Sequence, residues 1–214
     1  HAIQLTVGKQ PLWFESEEYI NGQPTLYFDG NDFLAAASDE LFAHPNTFFV
    51  IWKTTNNKTA VCITGANNSQ RNQLVASSTD IYLYCGKMLS AKKVSAPFNY
   101  SIVQAFFNGA SSFVSYNGER IGSGDVGNFP NKGVLIGAEN GGSYGTTGNI
   151  PELIFFNRAI SSADSAAVLE YLWSKYSGKR ILIDHRISVD YGFAPVTYTA
   201  ECDWAQAFLW DDGG

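Results

Sequence analysis

The stretch GVLIGAENGGSYGTTGNIPELIFFNRAIS, residues 133–161, sets two acids, Glu139 and Glu152, among Gly137, Gly141, Gly142, Gly145 and Gly148. A loop of this composition invites a nucleotide cradle or a carboxylate-bearing pocket. A phosphate loop requires Lys and Ser or Thr directly after its glycines; here they are missing and the loop lies between two strand-like runs, so it reads as a surface connection. Glu152, between Pro151 and Leu153, reads as a strand acid meeting a backbone or Arg partner. Asp29, Asn31 and Asp32 offer hard oxygen ligands on a turn, as does Asp125 in GSGDVGN, and this donor set suits calcium. The Asp29-Gly30-Asn31-Asp32 run also reads as a plain turn whose side chains bond the local backbone. His1 has an amine and a ring with which to chelate copper, with His44 or His185 as a second ligand. Three dispersed histidines and no Cys-x-x-Cys pair give no zinc signal, and no G-x-S-x-G elbow marks a serine nucleophile.

These residues must be held by a large framework. The chain has 214 residues, 45% of them apolar and 14% aromatic, with only 16% charged against an average of about 25%. That is ample for one all-β domain with a tail. A net charge of -6, with 14 scattered basic residues, argues against nucleic acid, whose recognition needs clustered Lys and Arg. No apolar run approaches the roughly 20 residues that span a bilayer, so no membrane span is expected. Cys62 and Cys85 sit in strand-like runs and are open to bridging or to remaining as buried thiols; with Cys202 the count is odd, leaving at least one thiol.

Runs rich in β-branched and aromatic residues recur between Gly, Asn, Pro and Asp: LYFDGNDFL, NTFFVIWK, KTAVCITG, DIYLYCG, YSIVQAFFNG, SSFVSYNGERI, GVLIGAE and NIPELIFFN. Asn-Gly pairs at Asn21, Asn108, Asn117 and Asn140 suit tight hairpins, so neighbouring strands are expected to be antiparallel. One helix is expected at SSADSAAVLEYLWSKYSGK. Ser161 or Ser162 caps it, Val168, Leu169, Leu172, Trp173 and Tyr176 recur at helical spacing, and Gly178 stops it. Such a helix should cover one sheet edge or face.

In order and spacing, NGQPTLYFDGNDFL, AFFNGASSFVSYNGERIG, GVLIGAENGG and GNIPELIFFNRAISSADSAAVLEYLWSKY resemble the laminin-G-like branch of the concanavalin A-like lectin/glucanase superfamily. The resemblance covers residues 1–178 and implies an antiparallel jelly-roll β-sandwich with one C-terminal amphipathic helix. Residues 179–214 then form a C-terminal extension that packs on the domain or on a partner, its runs ILIDHRISV and APVTYTA suited to a sheet edge and Trp204, Phe208 and Trp210 to docking. The superfamily includes glycoside hydrolases with alternating acids, roughly Glu-x-Asp-x-x-Glu. Glu15-Ser16-Glu17 and Glu201-Cys202-Asp203 approach this pattern, but Ile20 and Gln206 occupy the last position, which points away from catalysis. What the resemblance implies instead is a non-catalytic glycan-binding or adhesion module of a secreted or virion surface protein, with calcium as an optional ligand. The alternative is an assembly module contacting protein. Sugar recognition uses aromatic faces and amide or acid groups on loops, which selects Trp52, Glu139, Asn140 and Tyr144 as the candidate site and Asp29, Asn31 and Asp32 as the candidate metal ligands.

Overall fold

The computed structural model describes residues 2–55, 59–65, 67–92, 100–140 and 142–177. Within them the strands are β1 (Leu12–Glu17), β2 (Gln23–Asp29), β3 (Leu34–Phe42), β4 (Asn46–Thr54), β5 (Ala60–Thr64), β6 (Gln73–Ala76), β7 (Asp80–Tyr84), β8 (Met88–Lys92), β9 (Ser101–Phe107), β10 (Ser112–Tyr116), β11 (Glu119–Gly124), β12 (Asn131–Ile136) and β13 (Thr147–Phe156), followed by helix α1 (Ser162–Ser177). They form two antiparallel sheets, one ordered β1-β2-β13-β4-β9-β10-β11 and the other β3-β12-β5-β6-β7-β8. The architecture is a jelly-roll sandwich carrying one α-helix among the described residues, as the sequence implied.

Three layers follow from the alternation of side chains across a strand. On β4, Phe48, Val50 and Trp52 point between the sheets, where they meet Phe28, Cys62, Leu74, Leu83, Val103 and Phe107. The intervening Phe49 and Ile51 point the other way and pack under α1 with Ile20, Ile102, Leu172 and Tyr176. The unbroken apolar run FFVIW, residues 48–52, is therefore the signature of a strand buried on both faces. Ser161 caps α1, its hydroxyl accepting from the Asp164 amide at 3.0 Å.

Asn117 and Gly118 both have positive φ, 52° and 87°, and make the β10–β11 hairpin turn. Asn21 and Gly22 (58° and 67°) act similarly after a short 3-10 turn between β1 and β2. The Asn108-Gly109 pair opens a longer, 3-10 connection, and Gly141 of the fourth pair lies outside the described residues. Cys62 and Cys85 are buried free thiols, so the bridge between them does not form. Glu152 meets Lys175, Tyr171 and Tyr176 of α1 in place of the expected backbone or Arg partner. The extension 179–214, with Cys202, His185, Glu201 and Asp203, lies outside the described residues, as does His1.

Candidate functional site

The outer face of the six-stranded sheet carries no helix among the described residues. Its side chains follow from register: Gln73 lies opposite Tyr84, Val75 opposite Tyr82, and Val61 opposite Val75. Ile81 and Leu83, the alternate residues of β7, fill the core. Tyr84 pairs in turn with Met88 on β8. The result is a file of aromatic, amide and apolar groups facing away from the core.

The loop 137–146 folds over one side of this face. Its turn is closed by the Gly142 amide on the Glu139 carbonyl and the Glu139 amide on the Ser143 carbonyl, both at 2.8 Å. The Val61 amide then donates to the Tyr144 carbonyl at 2.8 Å, which docks the loop backbone along β5. Tyr144 itself adopts φ 50°, a left-handed conformation uncommon for an aromatic residue, and the residue is 61% exposed. Gly145 is required by close approach: a Cβ there would collide with the Gly30 carbonyl. The glycine-rich loop and the Asp29–Asp32 turn are thus in contact.

Together, strand face and loop enclose an open cavity of about 350 Å³ lined by Arg71, Gln73, Tyr82, Tyr84, Glu139 and Tyr144, with Thr59, Val61, Val75 and Met88 completing the wall. Arg71 and Glu139 form an ion pair within this wall. The Arg71 guanidinium lies 4.7 Å from the centre of the Tyr84 ring, a cation–π contact that fixes the ring's orientation. The buried Nε of Arg71 has no hydrogen-bond partner among the described residues. Rigid aromatic faces beside a charge pair and the Gln73 amide can stack on the apolar face of a sugar and bond its hydroxyls.

Two expected site residues, Glu139 and Tyr144, are brought together in this cavity; Asn140 is exposed on the same loop but does not line it. Trp52 is corrected: it is 4% exposed in the core between the sheets and offers no ring face to a ligand. Its aromatic character belongs to the run that β4 buries on both faces. Arg71, Gln73, Tyr82 and Tyr84 were not singled out from sequence, although the alternation in IYLY already separates Ile81 and Leu83 from Tyr82 and Tyr84.

The candidate metal ligands are occupied locally. An Asp29 carboxylate oxygen accepts from the Asn31 amide at 2.7 Å, and an Asp32 oxygen accepts from the Asp29 amide at 2.9 Å. Asn31 donates from its side chain to the Gly8 carbonyl at 3.1 Å. Burial, with the neighbouring Asp29 charge adding to it, holds the Asp32 carboxyl above its ordinary value. The geometry is that of an Asx-type turn. No group of three or more His, Cys, Asp or Glu suited to a metal occurs among the described residues. Asp125 is similarly engaged, by Lys87 and by the Gly127 amide.

His44 belongs to a different cluster. The Gly109 amide donates to its Nδ1 at 3.3 Å, which leaves the proton on Nε2, 3.2 Å from the Asn72 carbonyl oxygen and 3.1 Å from Cys85 Sγ. Burial holds His44 below its ordinary value and pushes the Cys85 thiol up to about 12, so both groups are neutral near pH 7. A fully buried neutral thiol is no nucleophile.

No family model matches the sequence, and no curated protein matches it. Solved structures do. Domain 4 of AbnA, a GH43 extracellular arabinanase from Geobacillus stearothermophilus solved with arabinotriose, superposes with TM-score 0.58 at 12% identity, over 75% of this chain and 81% of that one. The IT-sialidase CBM40 of Ruminococcus gnavus gives 0.52 at 14% identity, over 74% and 98%. Domains LG4-5 of the mouse laminin alpha1 chain give 0.51 at 11% identity, over 64% and 44%. These likenesses show the fold, an antiparallel jelly-roll β-sandwich of the kind that the laminin-G-like resemblance implied.

Proposed function

We propose that this domain is a non-catalytic glycan-binding module of an extracellular surface protein, and that it seats its ligand on the outer face of the six-stranded sheet. The observation that carries this reading is the cavity in which Tyr82, Tyr84 and Tyr144 surround the Arg71–Glu139 pair. Its acids do not compose a hydrolytic set, because Glu139 is committed to Arg71 and, among the described residues, the cavity lining holds no second carboxylate. The solved carbohydrate-binding module and the arabinotriose-bound domain support the reading through shared architecture. Calcium, if it takes part, comes to the Asp29–Asp32 turn, which touches the Tyr144 loop through Gly30 and Gly145.

A glycan array probed with the purified 1–214 chain, in calcium and again with chelator, tests this. Saturable binding to a defined glycan that Tyr84→Ala abolishes is the expected result, and loss on chelation would bring calcium into the site. Absence of binding in both conditions rejects the glycan reading.

A further inference from the structure

The cavity on the six-stranded sheet is lined by two charged groups, Arg71 and Glu139, and each neutralises the other. What the guanidinium still offers a ligand follows from its geometry. An Arg side chain grips a carboxylate or sulfate through two parallel N–H bonds, donated from its Nη1–Nη2 edge or its Nε–Nη2 edge. On Arg71, Nη1 already donates to Glu139 Oε1 and lies 3.4 Å from Asn68 Oδ1, while Nε is buried. One member of each edge is thus out of a ligand's reach, and the guanidinium also lies over the Tyr84 ring. A carboxylated sugar entering the cavity finds no two-point contact on Arg71 and meets the Glu139 charge.

The surrounding face adds no compensating cation. Among the described residues no third charge lines the cavity. Along β7 and β8 the register sets Tyr84 opposite Met88, Tyr82 opposite Ser90 and Asp80 opposite Lys92, so the charges at that end of the face again oppose each other. Lys87, next to Met88, is held by Asp125. The chain as a whole carries -6, a field that repels anions.

Acceptors and flat rings, by contrast, are uncommitted. Gln73 is only 6% exposed, lines the cavity and makes no side-chain hydrogen bond among the described residues. A buried amide in that state is costly unless water or a ligand bonds it. Glu139 Oε2 also has no partner among the described residues, and the rings of Tyr82 and Tyr144 make no aromatic or cation contact there. Sugar hydroxyls donate to such acceptors, and the C–H faces of the same sugar stack on such rings.

We propose that the site selects neutral, hydroxyl-rich sugars and rejects sugars that bear a carboxylate or sulfate, and that the Arg71–Glu139 pair sets this discrimination. The inference rests on the glycan-binding reading above and adds the class of ligand. Arg71 is a positioning residue: it holds Glu139 in the wall with Oε2 as an acceptor, and Glu139 in turn keeps the Arg71 fork from anions.

The full 1–214 chain is tested on an array of matched pairs, each a neutral oligosaccharide and the same oligosaccharide with one hexose oxidised to its uronic acid. The parent should bind the neutral member at least about tenfold tighter, with an affinity that changes less than about twofold between about 50 and about 500 mM NaCl, because no net charge is neutralised on binding. Glu139→Gln releases the Arg71 fork, and the uronic-acid member should then gain at least about tenfold relative to the neutral one, with an affinity that falls as salt rises. Should Glu139→Gln fail to fold, the pair preference and salt series of the parent decide. Preference of the parent for the acidic member, or a neutral preference that Glu139→Gln leaves unchanged, overturns the inference while the glycan-binding reading stands. Absence of binding to every member, neutral or acidic, overturns both.

Discussion

The two sheets present outer faces built on the same alternation and put to opposite uses. On the seven-stranded sheet, Phe49, Ile51 and Ile102 are apolar and lie buried beneath Leu172 and Tyr176 of α1. On the six-stranded sheet, the equivalent outward positions hold Gln73, Tyr82, Tyr84 and Met88 and are left open under the Tyr144 loop. A face of aliphatic and Phe side chains has to be covered permanently, because its burial supplies stability. A face of tyrosines, an amide and a charge pair tolerates water and can exchange it for a ligand. The polar groups are also placed differently. Beside the helix, Glu152 accepts from Lys175 at 2.9 Å and from Tyr176 at 2.7 Å, which ties α1 to β13 at the rim of an apolar contact. On the open face the Arg71–Glu139 pair sits within the cavity wall.

This contrast can be broken from either side. The largest effect is expected at Leu172, 1% exposed beneath the helix: Leu172→Ala should cost about 2–5 kcal/mol and lower Tm by roughly 5–15 °C in thermal denaturation, without changing glycan affinity of the folded fraction. Tyr84→Ala should do the converse. Glycan affinity by calorimetric titration falls tenfold or more, about 1.4 kcal/mol, while Tm falls by less than in Leu172→Ala.

Glu152→Gln should cost on the order of 1 kcal/mol, and it sharpens the comparison through pH. Burial would raise the Glu152 carboxyl, but hydrogen bonds from Lys175, Tyr176 and Tyr171 outweigh it and hold it below its ordinary value. A depressed carboxyl contributes stability above its unfolded value of about 4.3 and loses it as pH falls through the folded value. Acid denaturation curves of the parent should therefore show a limb below about pH 4.3 that Glu152→Gln flattens. The smallest effect is at His44. Because burial depresses it, its neutral form is favoured on folding; stability is complete above about pH 6.5 and declines as pH falls through the folded value. Parent stability should fall as pH drops below about 6.5, a slope absent in His44→Gln.

The layers of the sandwich were legible where burial leaves a composition signal. NTFFVIWK became β4 and NIPELIFF lies within β13, while the spacing of Leu172 and Tyr176 and the cap at Ser161 located α1. The eight strand-like runs became thirteen strands among the described residues, because SSFVSYNGERI divides into β10 and β11 at its Asn-Gly turn and because β1, β3, β6 and β8 are edge, Ala-rich or short elements that carry no such signal. LWFESE has acids at its end, LAAASDELF is built of small and polar residues, and QLVA is four residues long. The site was half legible. Glu139 and Tyr144 advertise themselves on a glycine-rich loop, but Arg71 and Gln73 join them only through the β5–β6–β7 register, which composition does not encode. Trp52 misled for the same reason, since an aromatic residue in a strand faces core or solvent according to a parity that single residues do not reveal.

The most direct test of the division between the two faces is a hydrogen-exchange footprint of the full chain with a saturating glycan selected on the array. Slowed exchange in β5, β6, β7 and residues 139–145, with α1 and β4 unchanged, is the result predicted here. A footprint confined to α1, to β1, or to the Asp29–Asp32 turn would contradict it and move the binding site off the open sheet.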